Sequence, residues 1–299
     1  MSFNLSEAKR SKAKLRLAID GPSGSGKTYS ALLIAYGICG DWSKIAVIDT
    51  ERESANLYED ICGGGKKYLT GQINAPFTPQ KYLEALHECE NAGVEVVIID
   101  SLTHAWTAEG GLLDIHAEAV KRQRTANSYT AWGDVTPLHR KLVDAILTSP
   151  LHVICTVRSD TEYSQEKDAS GKTVIKKVGM KPQFRKGLDY EMTIVFSLDQ
   201  AHQATVSKSR ISTFPVNDVI QPCAETGKKL SEWLNSGSDI PTCSDCGKEI
   251  QAYGNMSAVQ VALYTQRKYG RSVCTECGSK LKEINYGETS EYEEPRDVL

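Results

Sequence analysis

A glycine-rich segment near the N-terminus constrains the fold more than any other part of the chain. The segment reads GPSGSGKT from Gly21 to Thr28, and it fits the pattern G-x-x-x-x-G-K-[ST]. An apolar run with strand character, residues 15–20, precedes it, and residues 29–36 continue with apolar positions at helical spacing. Strand, turn and helix in this order indicate a phosphate-binding loop (P-loop). The sequence therefore predicts an α/β domain that binds a nucleoside triphosphate, here ATP.

Each residue type in this loop has a physical role. Glycine allows backbone amides to approach phosphate oxygens without a Cβ in the way, and a helix N-terminus adds N–H groups and a favourable dipole. Lys27 supplies a positive charge for the β- and γ-phosphates, and the Thr28 hydroxyl is a ligand for Mg²⁺. The predicted nucleotide-binding residues of this segment are Gly21, Pro22, Ser23, Gly24, Ser25, Gly26, Lys27, Thr28 and Tyr29.

The composition sets limits on the class of protein. The formal net charge of −3 over 299 residues argues against bulk electrostatic binding to nucleic acid, although charge can still be arranged locally. No apolar run approaches 18 residues, and the N-terminus is too polar for a secretory signal. We therefore expect a cytoplasmic protein without a membrane segment.

The remaining pattern predicts strands that alternate with helices. Strands are expected at 44–48, 94–101 and 151–157, followed by two antiparallel strands at 191–198 and 203–207. Helices are expected at 5–14, 79–91, 112–125 and 137–147, and residues 159–185 are expected to form a long polar loop. This order indicates a twisted, mainly parallel sheet with helices on both sides. The predicted domains are an ATPase core (1–235), a linker (236–242), a cysteine module (243–285) and an acidic, disordered tail (286–299).

Two carboxylates at strand ends complete the predicted ATPase site. Asp100 ends the apolar run VEVVIID, where a hydrolysing P-loop enzyme needs a carboxylate for Mg²⁺. Glu51 follows the strand at 44–48 and is the candidate for the group that orients the attacking water. A glutamate after a strand is common, so Glu51 is a weaker prediction from the residues alone.

Several segments together resemble the RecA recombinase family. They are IDTE at 48–51 followed by Tyr58, VIIDS at 97–101, ICTVR at 154–158 and KSR at 208–210. Their order and spacing agree with that family over roughly residues 14–215. The resemblance implies a RecA-like core in which Glu51 is the catalytic base and Tyr58 packs near the adenine. Thr156 falls where the family usually has a γ-phosphate-sensing glutamine.

The resemblance also implies an assembly. The pair Lys208 and Arg210 corresponds to cations that reach the ATP of the neighbouring subunit, so a filament or ring of identical chains is expected; the simpler alternative is a solvated strand end. The chain is most similar to the compact RecA-core ATPases of bacteriophages, the Sak group associated with single-strand annealing and recombination. Phage recombination proteins and single-strand-binding proteins are expected partners.

In a RecA-like core, two segments hold single-stranded DNA. They correspond here to residues 104–129 and 159–185, in which Tyr163 and Phe184 are candidates for stacking bases. A solvated lysine-rich loop is the alternative for the second segment. The candidate DNA-binding residues are Lys121, Arg122, Arg124, Lys172, Lys176, Lys177, Lys181 and Arg185.

Four cysteines near the C-terminus form a C-x₂-C-x₂₇-C-x₂-C pattern. They are Cys243, Cys246, Cys274 and Cys277, and each pair is followed by glycine. Four thiolates at this spacing predict a closed, structural Zn²⁺ site. The basic residues around it are compatible with a contact to nucleic acid or to a protein.

Three functions remain open at this level. The first is a DNA-stimulated ATPase that assembles on single-stranded DNA for recombination or annealing. The second is an accessory ATPase, helicase or helicase loader of phage replication. The third is a nucleotide switch that recruits a partner through the cysteine module.

Overall fold

The structure is a computed structural model that describes residues 10–122, 127–167, 173–237, 241–254, 256 and 258–287, with side chains apart from those of 161–180 and 282–287. The chain divides into two units. One unit is Lys14–Leu234, and the other contains residues 10–13 and the chain from Asn235 onward.

The larger unit is built on one sheet. Its path runs β3-β2-β4-β5-β1-β7-β8-β9, and β6 pairs with the extended end of β5. Strands β1 to β5 and β7 pair in parallel along this path, whereas β8 and β9 are antiparallel. The strands are β1 Arg16–Gly21, β2 Ile45–Asp49, β3 Leu69–Gln72, β4 Val96–Asp100, β5 His152–Lys167, β6 Thr173–Pro182, β7 Ile194–Leu198, β8 Ala204–Ser209 and β9 Val219–Ile220.

Helices cover both faces of this sheet. On one face α1 and α7 pack on alternate strand residues such as Leu17 and Ile98, and on the other α2 and α5 pack on residues such as Ile99. Because both faces are buried, the central strands are apolar throughout. The helices are α1 Lys27–Cys39, α2 Pro79–Asn91, α3 His104–Thr107, α4 Leu112–Arg122, α5 Ser128–Thr148, α6 Leu188–Glu191, α7 Ala224–Asn235, α8 Ala258–Tyr269 and α9 Thr275–Gly287. The predicted α/β class with a mainly parallel sheet is confirmed.

The register brings the ends of four strands to one edge of the sheet. Asp49 pairs with Asp100, and Gly21 pairs with Arg158. Parallel strands present their carboxyl ends at the same edge, and ligands of open α/β sheets bind in the crevice outside it. The predicted site residues at the ends of β1, β2, β4 and β5 therefore lie in one region.

The prediction of a long polar loop at 159–185 is wrong. β5 continues beyond the parallel sheet, and Ser159–Lys167 pairs antiparallel with Thr173–Pro182. The sequence does not indicate strands here, because residues 159–167 are mainly polar and the apolar residues of β6, such as Val174, Ile175 and Val178, do not alternate regularly with polar ones.

Two helix predictions also need correction. Helix α5 begins at Ser128 rather than near Pro137, because the Asn127 side chain accepts hydrogen bonds from the N–H groups of Tyr129 and Thr130 at 3.0 and 3.4 Å. Pro137 is tolerated because the carbonyl it leaves unpaired belongs to Gly133 on the exposed face of the helix. At the N-terminus, the described residues 10–14 of the predicted helix at 5–14 are not helical.

The smaller unit has a core of its own. Six buried residues form it, with Met256, Tyr269, Cys277 and Leu281 packed against them. The six are Cys243, Ile250, Val261, Ala262, Val273 and Cys274. Within the part of the chain that the structure describes, no helix combines the length and apolarity needed to cross a membrane.

Candidate functional site

The P-loop joins β1 to α1 and keeps its backbone open. Gly24 and Gly26 have φ angles of 79° and 84°, in the left-handed region that favours glycine. A Cβ on Gly21 would lie 2.7 Å from the Leu198 carbonyl oxygen, whereas a Cβ on Gly24 would meet nothing within 4 Å. The loop therefore packs against β7 at its start and leaves open space at Gly24, where a phosphate group can approach the backbone.

Polar groups around the loop fit a triphosphate and its metal ion. The buried Ser25 and Ser101 hydroxyls have no hydrogen-bond partner among the described residues. A buried hydroxyl without a partner is unfavourable, so each has capacity for a bound ligand. The first N–H groups of α1, which starts at Lys27, also have no intrahelical acceptor. These groups have the chemistry to bind ATP and Mg²⁺.

Asp100 is the centre of the predicted Mg²⁺ site. It is 1% exposed, and its Oδ2 accepts a hydrogen bond from the Thr28 hydroxyl at 2.6 Å. Its Oδ1 accepts another from the Thr156 hydroxyl. Burial raises the pKa of Asp100, while these hydroxyls oppose the rise. Carboxylate and hydroxyl thus meet where a hard cation would take both as ligands.

Lys27 lies over the loop that carries it. Its Nζ donates to the carbonyl oxygens of Gly21 at 3.0 Å and of Pro22 at 2.8 Å. Burial lowers the pKa of Lys27, whereas the negative charges of Asp100 and Glu51 raise it. Among the hydrogen-bond acceptors of the described residues, the ammonium group contacts only these neutral carbonyl oxygens, so a charged phosphate can replace them.

Glu51 is positioned by the end of β2. The Asp49 carboxylate accepts hydrogen bonds from the N–H groups of Glu51 at 2.6 Å and Ala55 at 3.0 Å, which fixes the turn after the strand. The Glu51 side chain pairs with Arg158 at the end of the parallel part of β5, with 2.8 Å between Oε1 and Nη2. The predicted catalytic base therefore lies at the same sheet edge as Asp100, and it has a cationic partner that sequence reasoning missed.

Two tyrosines lie together beside the loop. The rings of Tyr29 and Tyr58 are 6.0 Å apart between centroids and tilted by 56°. Tyr29 is predicted to bind nucleotide as part of the P-loop segment, and Tyr58 is predicted to do so from the family resemblance. His202, in the turn between β7 and β8, also contacts the P-loop through a 3.0 Å hydrogen bond between Nδ1 and the Ser25 carbonyl. No motif in the sequence marks His202, because only the pairing of β7 with β1 brings that turn to the loop.

Comparison with known protein families supports the prediction of a P-loop ATPase. A family model described as an AAA domain matches residues 13–221, which is more than half of the chain. The chain belongs to the AAA domain family. A search of curated proteins found no match. The family and the mainly parallel sheet support a P-loop ATPase, and α7 and the four C-terminal cysteines lie outside the matched residues.

The cations Lys208 and Arg210 lie at the end of β8 of the AAA domain. The Arg210 Nη2 donates to the Tyr190 carbonyl at 2.6 Å, and the Lys208 Nζ donates to the carbonyls of Tyr190, at 3.3 Å, and Met192. Both side chains therefore point to the same place, as their spacing predicts. Burial and the neighbouring Arg210 lower the pKa of Lys208.

Seven of the eight candidate DNA-binding residues fall into three groups. Lys121 and Arg122 are exposed at the end of α4, within the helix that the sequence predicts at 112–125. Lys176, Lys177 and Lys181 lie on β6, where Lys181 is exposed and the side chains of the other two are not described. Arg124 and Lys172 lie outside the described residues, as does the side chain of Tyr163.

Arg185 follows the hairpin and lines a groove along α5. Its Nη2 donates to the Thr136 hydroxyl at 3.2 Å, and its guanidinium carbon lies 5.2 Å from the centroid of a Trp132 ring. The groove has a volume of about 720 Å³ and is also lined by Tyr129 and Arg140. Phe184 is 9% exposed and packs on Trp106 and His139, so the prediction that it stacks a base is wrong.

The four cysteines of the smaller unit come together. Their Sγ atoms all lie within 4.8 Å of one another. The N–H of Gly247 donates to the Cys243 carbonyl at 2.9 Å, and the N–H of Gly278 donates to the Cys274 carbonyl at 2.8 Å, so the same backbone hydrogen bond closes both C-x-x-C-G segments, the second in the first turn of α9. Burial raises the pKa of the Cys243 thiol, but backbone hydrogen bonds at Cys274, Cys246 and Asp245 outweigh it and bring the pKa to about 6. This donor set fits one tetrahedral Zn²⁺.

Proposed function

We propose that this AAA-domain protein is an ATPase that binds single-stranded DNA, assembles on it and promotes recombination or annealing. The observation that carries the proposal is the course of β5. Thr156 of this strand donates a hydrogen bond to Asp100, and Arg158 forms an ion pair with Glu51. The same strand then continues into the basic hairpin with β6. A groove that contains exposed Tyr129 and two arginines lies beside the end of that hairpin.

The hydrolysis step follows from the residues at the sheet edge. A water oxygen forms a bond to the γ-phosphorus while the bond between that phosphorus and the β–γ bridging oxygen breaks, and ADP leaves. Glu51 orients the water and accepts its proton. Lys27 neutralises phosphate charge, and Thr28 and Asp100 would hold Mg²⁺, which would supply further positive charge.

DNA contact in this proposal is independent of base sequence. Lysines on the hairpin suit phosphates, and Tyr129, which is 87% exposed, offers a ring on which a base can stack. Arg140 and Arg185 add positive charge to the same groove. The arrangement supports binding of single strands, whose bases are free to stack.

Lys208 and Arg210 are the residues that would make hydrolysis depend on assembly. Lys27 already serves the phosphates within its own subunit, so a second cationic pair is most useful at the ATP of the next subunit. A filament or ring would then hydrolyse ATP at its interfaces. The cysteine module, with one structural Zn²⁺, would provide a docking surface for DNA or for a recombination partner.

The test uses the full chain and measures ATP turnover with and without oligo(dT). We expect single strands to stimulate turnover, and we expect ATP to promote annealing of two complementary labelled strands. Arg140→Ala should weaken the stimulation, whereas Lys228→Ala removes an exposed cation from α7 and is the matched control.

Other outcomes distinguish the remaining functions. Unwinding of a duplex without annealing would favour a helicase, and transfer of a second protein to DNA would favour a loader. ATP turnover that is insensitive to single strands, together with no DNA binding at low salt, would contradict the proposal while leaving the ATPase intact.

A further inference from the structure

The turn between β7 and β8 lies against the P-loop. β7 pairs in parallel with β1, and the pairing of Ser197 with Asp20 brings the end of β7 next to the start of the loop. The chain then turns through residues 199–203. In this turn the Nδ1 atom of His202 lies 3.0 Å from the carbonyl oxygen of Ser25, a residue 177 positions away along the chain. His202 therefore reaches the backbone of the P-loop from a distant part of the sequence.

Hydrogen bonds within the turn hold His202 in place. The Asp199 carboxylate accepts from the N–H groups of Ala201 and Gln203, both at 2.9 Å. The N–H of His202 donates to the Asp199 carbonyl at 3.2 Å. His202 has a φ angle of 61°, in the left-handed region that few residues other than glycine occupy. Because His202 is exposed, core packing does not impose this unfavourable conformation, and residues held in this way are common at functional sites.

The contact with Ser25 defines the donor. A carbonyl oxygen only accepts hydrogen bonds, so Nδ1 of His202 carries the hydrogen in the neutral and in the charged imidazole alike. The bond therefore draws the Ser25 carbonyl toward the turn in either state of the ring.

The other end of the same peptide unit is the N–H of Gly26. The Ser25–Gly26 bond is trans, so its C=O and N–H point in opposite directions, and the N–H points away from His202. A Cβ on Gly26 would lie 3.0 Å from Nδ1 of His202, so the ring lies directly against this residue. The Gly26 N–H has no acceptor among the described residues. It is thus available to an anion on the side of the loop that His202 does not cover.

We propose that His202 is a positioning residue of the P-loop. Its hydrogen bond holds the Ser25–Gly26 peptide in the orientation that turns the Gly26 N–H toward the phosphates of a bound nucleotide. Without the bond this peptide can rotate, because Gly26 has no Cβ to restrict it, and binding must then order it. P-loop amides contact the α- and β-phosphates, so ADP and ATP should depend on His202 equally. The inference rests on the proposed function in that a nucleotide must bind at this loop.

The test measures the affinity of the full chain for Mg²⁺–ADP and for a non-hydrolysable Mg²⁺–ATP analogue. His202→Gly keeps the left-handed backbone and removes the donor, so both affinities should fall by about two- to tenfold, as for loss of one hydrogen bond. His202→Asn should restore most of both affinities. The amide nitrogen of asparagine is a donor at the same number of bonds from Cα as Nδ1, and asparagine tolerates a positive φ.

Turnover at saturating ATP separates positioning from chemistry. It should stay the same in His202→Gly, because bound ATP and the transition state gain equally from the P-loop amides. Amide hydrogen exchange of residues 22–27 without nucleotide should become faster in His202→Gly and not in His202→Asn. Gln200→Gly puts the same residue at an exposed position of the same turn, and it should change neither affinity nor exchange. Thermal unfolding checks that all three variants are folded.

Several results would overturn the inference. Unchanged affinities in His202→Gly, or losses in His202→Asn as large as those in His202→Gly, would show that the hydrogen bond does not orient the loop. A loss confined to the ATP analogue would place the ring at the terminal phosphate instead. If the unaltered protein binds neither nucleotide, the ATPase assignment fails and the inference fails with it.

Discussion

The AAA domain and the cysteine module differ in how each is stabilised. In the domain, large apolar clusters cover both faces of the sheet, and the polar site lies at the sheet edge outside them. Among the described residues of the module, six form the buried core, and two of these, Cys243 and Cys274, are themselves candidate metal ligands.

This difference implies that a ligand serves activity in the domain and folding in the module. A fold of the domain's size buries enough apolar surface to be stable without a nucleotide, so we expect loss of the nucleotide to affect activity and not folding. A core as small as that of the module is usually completed by a metal ion. Removal of the ligand should therefore abolish function in one region and structure in the other.

The largest expected effect is that of metal removal. Structural zinc contributes about 10–16 kcal/mol to the folding of zinc-finger peptides, so a chelator should unfold residues 241–287 and leave 14–234 folded. Metal analysis should find one zinc per chain, and hydrogen exchange should locate the unfolding. Cys223→Ser alters an exposed thiol of the larger unit and should leave the zinc content unchanged. A module that stays folded without metal would contradict the comparison.

Substitutions at the nucleotide site should abolish activity and keep the fold. Glu51→Gln leaves the phosphate-binding groups in place but removes the proton acceptor, so turnover should fall by about 10²–10⁴-fold while ATP still binds. Lys27→Ala should instead abolish productive ATP binding, because the phosphates lose a charged partner. Thermal unfolding checks that both proteins are folded. Full turnover by Glu51→Gln would remove this glutamate from the mechanism.

Site residues at the ends of buried strands could be predicted from sequence, because an apolar run indicates the strand and its last residue indicates which edge of the sheet the site lies on. The apolar, β-branched run before Asp100 is typical of a buried strand, and parallel strands then bring its end to Thr28. Glu51 and Tyr58 were placed by resemblance to a family. The pairing of Glu51 with Arg158 could not be foreseen, because it joins residues 107 apart through the order of strands in the sheet.

The hairpin was missed for a different reason. Hydrophobic periodicity is the main signal for a strand, but residues 159–167 are mainly polar and the apolar residues of β6 are not regularly spaced. Phe184 shows the related error, since an aromatic residue beside a basic segment was taken as a base-stacking group, whereas the structure buries it against Trp106 and His139. Both the pairing of the hairpin and the burial of Phe184 depend on contacts between distant parts of the chain, which the local sequence does not show.

A mixing experiment tests whether the site of the domain is complete in one subunit. Glu51→Gln and the double variant Lys208→Ala/Arg210→Ala should each be inactive alone. If the cations act across an interface, an equal mixture forms some interfaces with an intact Glu51 and an intact cationic pair, and up to about a quarter of the turnover returns. If both proteins assemble together and no activity returns, the pair does not act in trans.

The smallest expected effect is that of the hairpin lysines on DNA binding. Replacement of Lys176, Lys177 and Lys181 by alanine removes three candidate phosphate contacts, while the backbone pairing of β5 with β6 is retained. Each lost contact with a single strand lowers the dependence of log affinity on log salt by about 0.7, so the slope should fall by about 2. Binding to oligo(dT), measured over a range of salt concentrations, gives the slope, and Lys228→Ala should leave it unchanged. Because these contacts read no bases, strands of different sequence should lose affinity equally. An unaltered slope would show that DNA binds elsewhere, and the same titration on the chelated protein would then ask whether the cysteine module carries the contact.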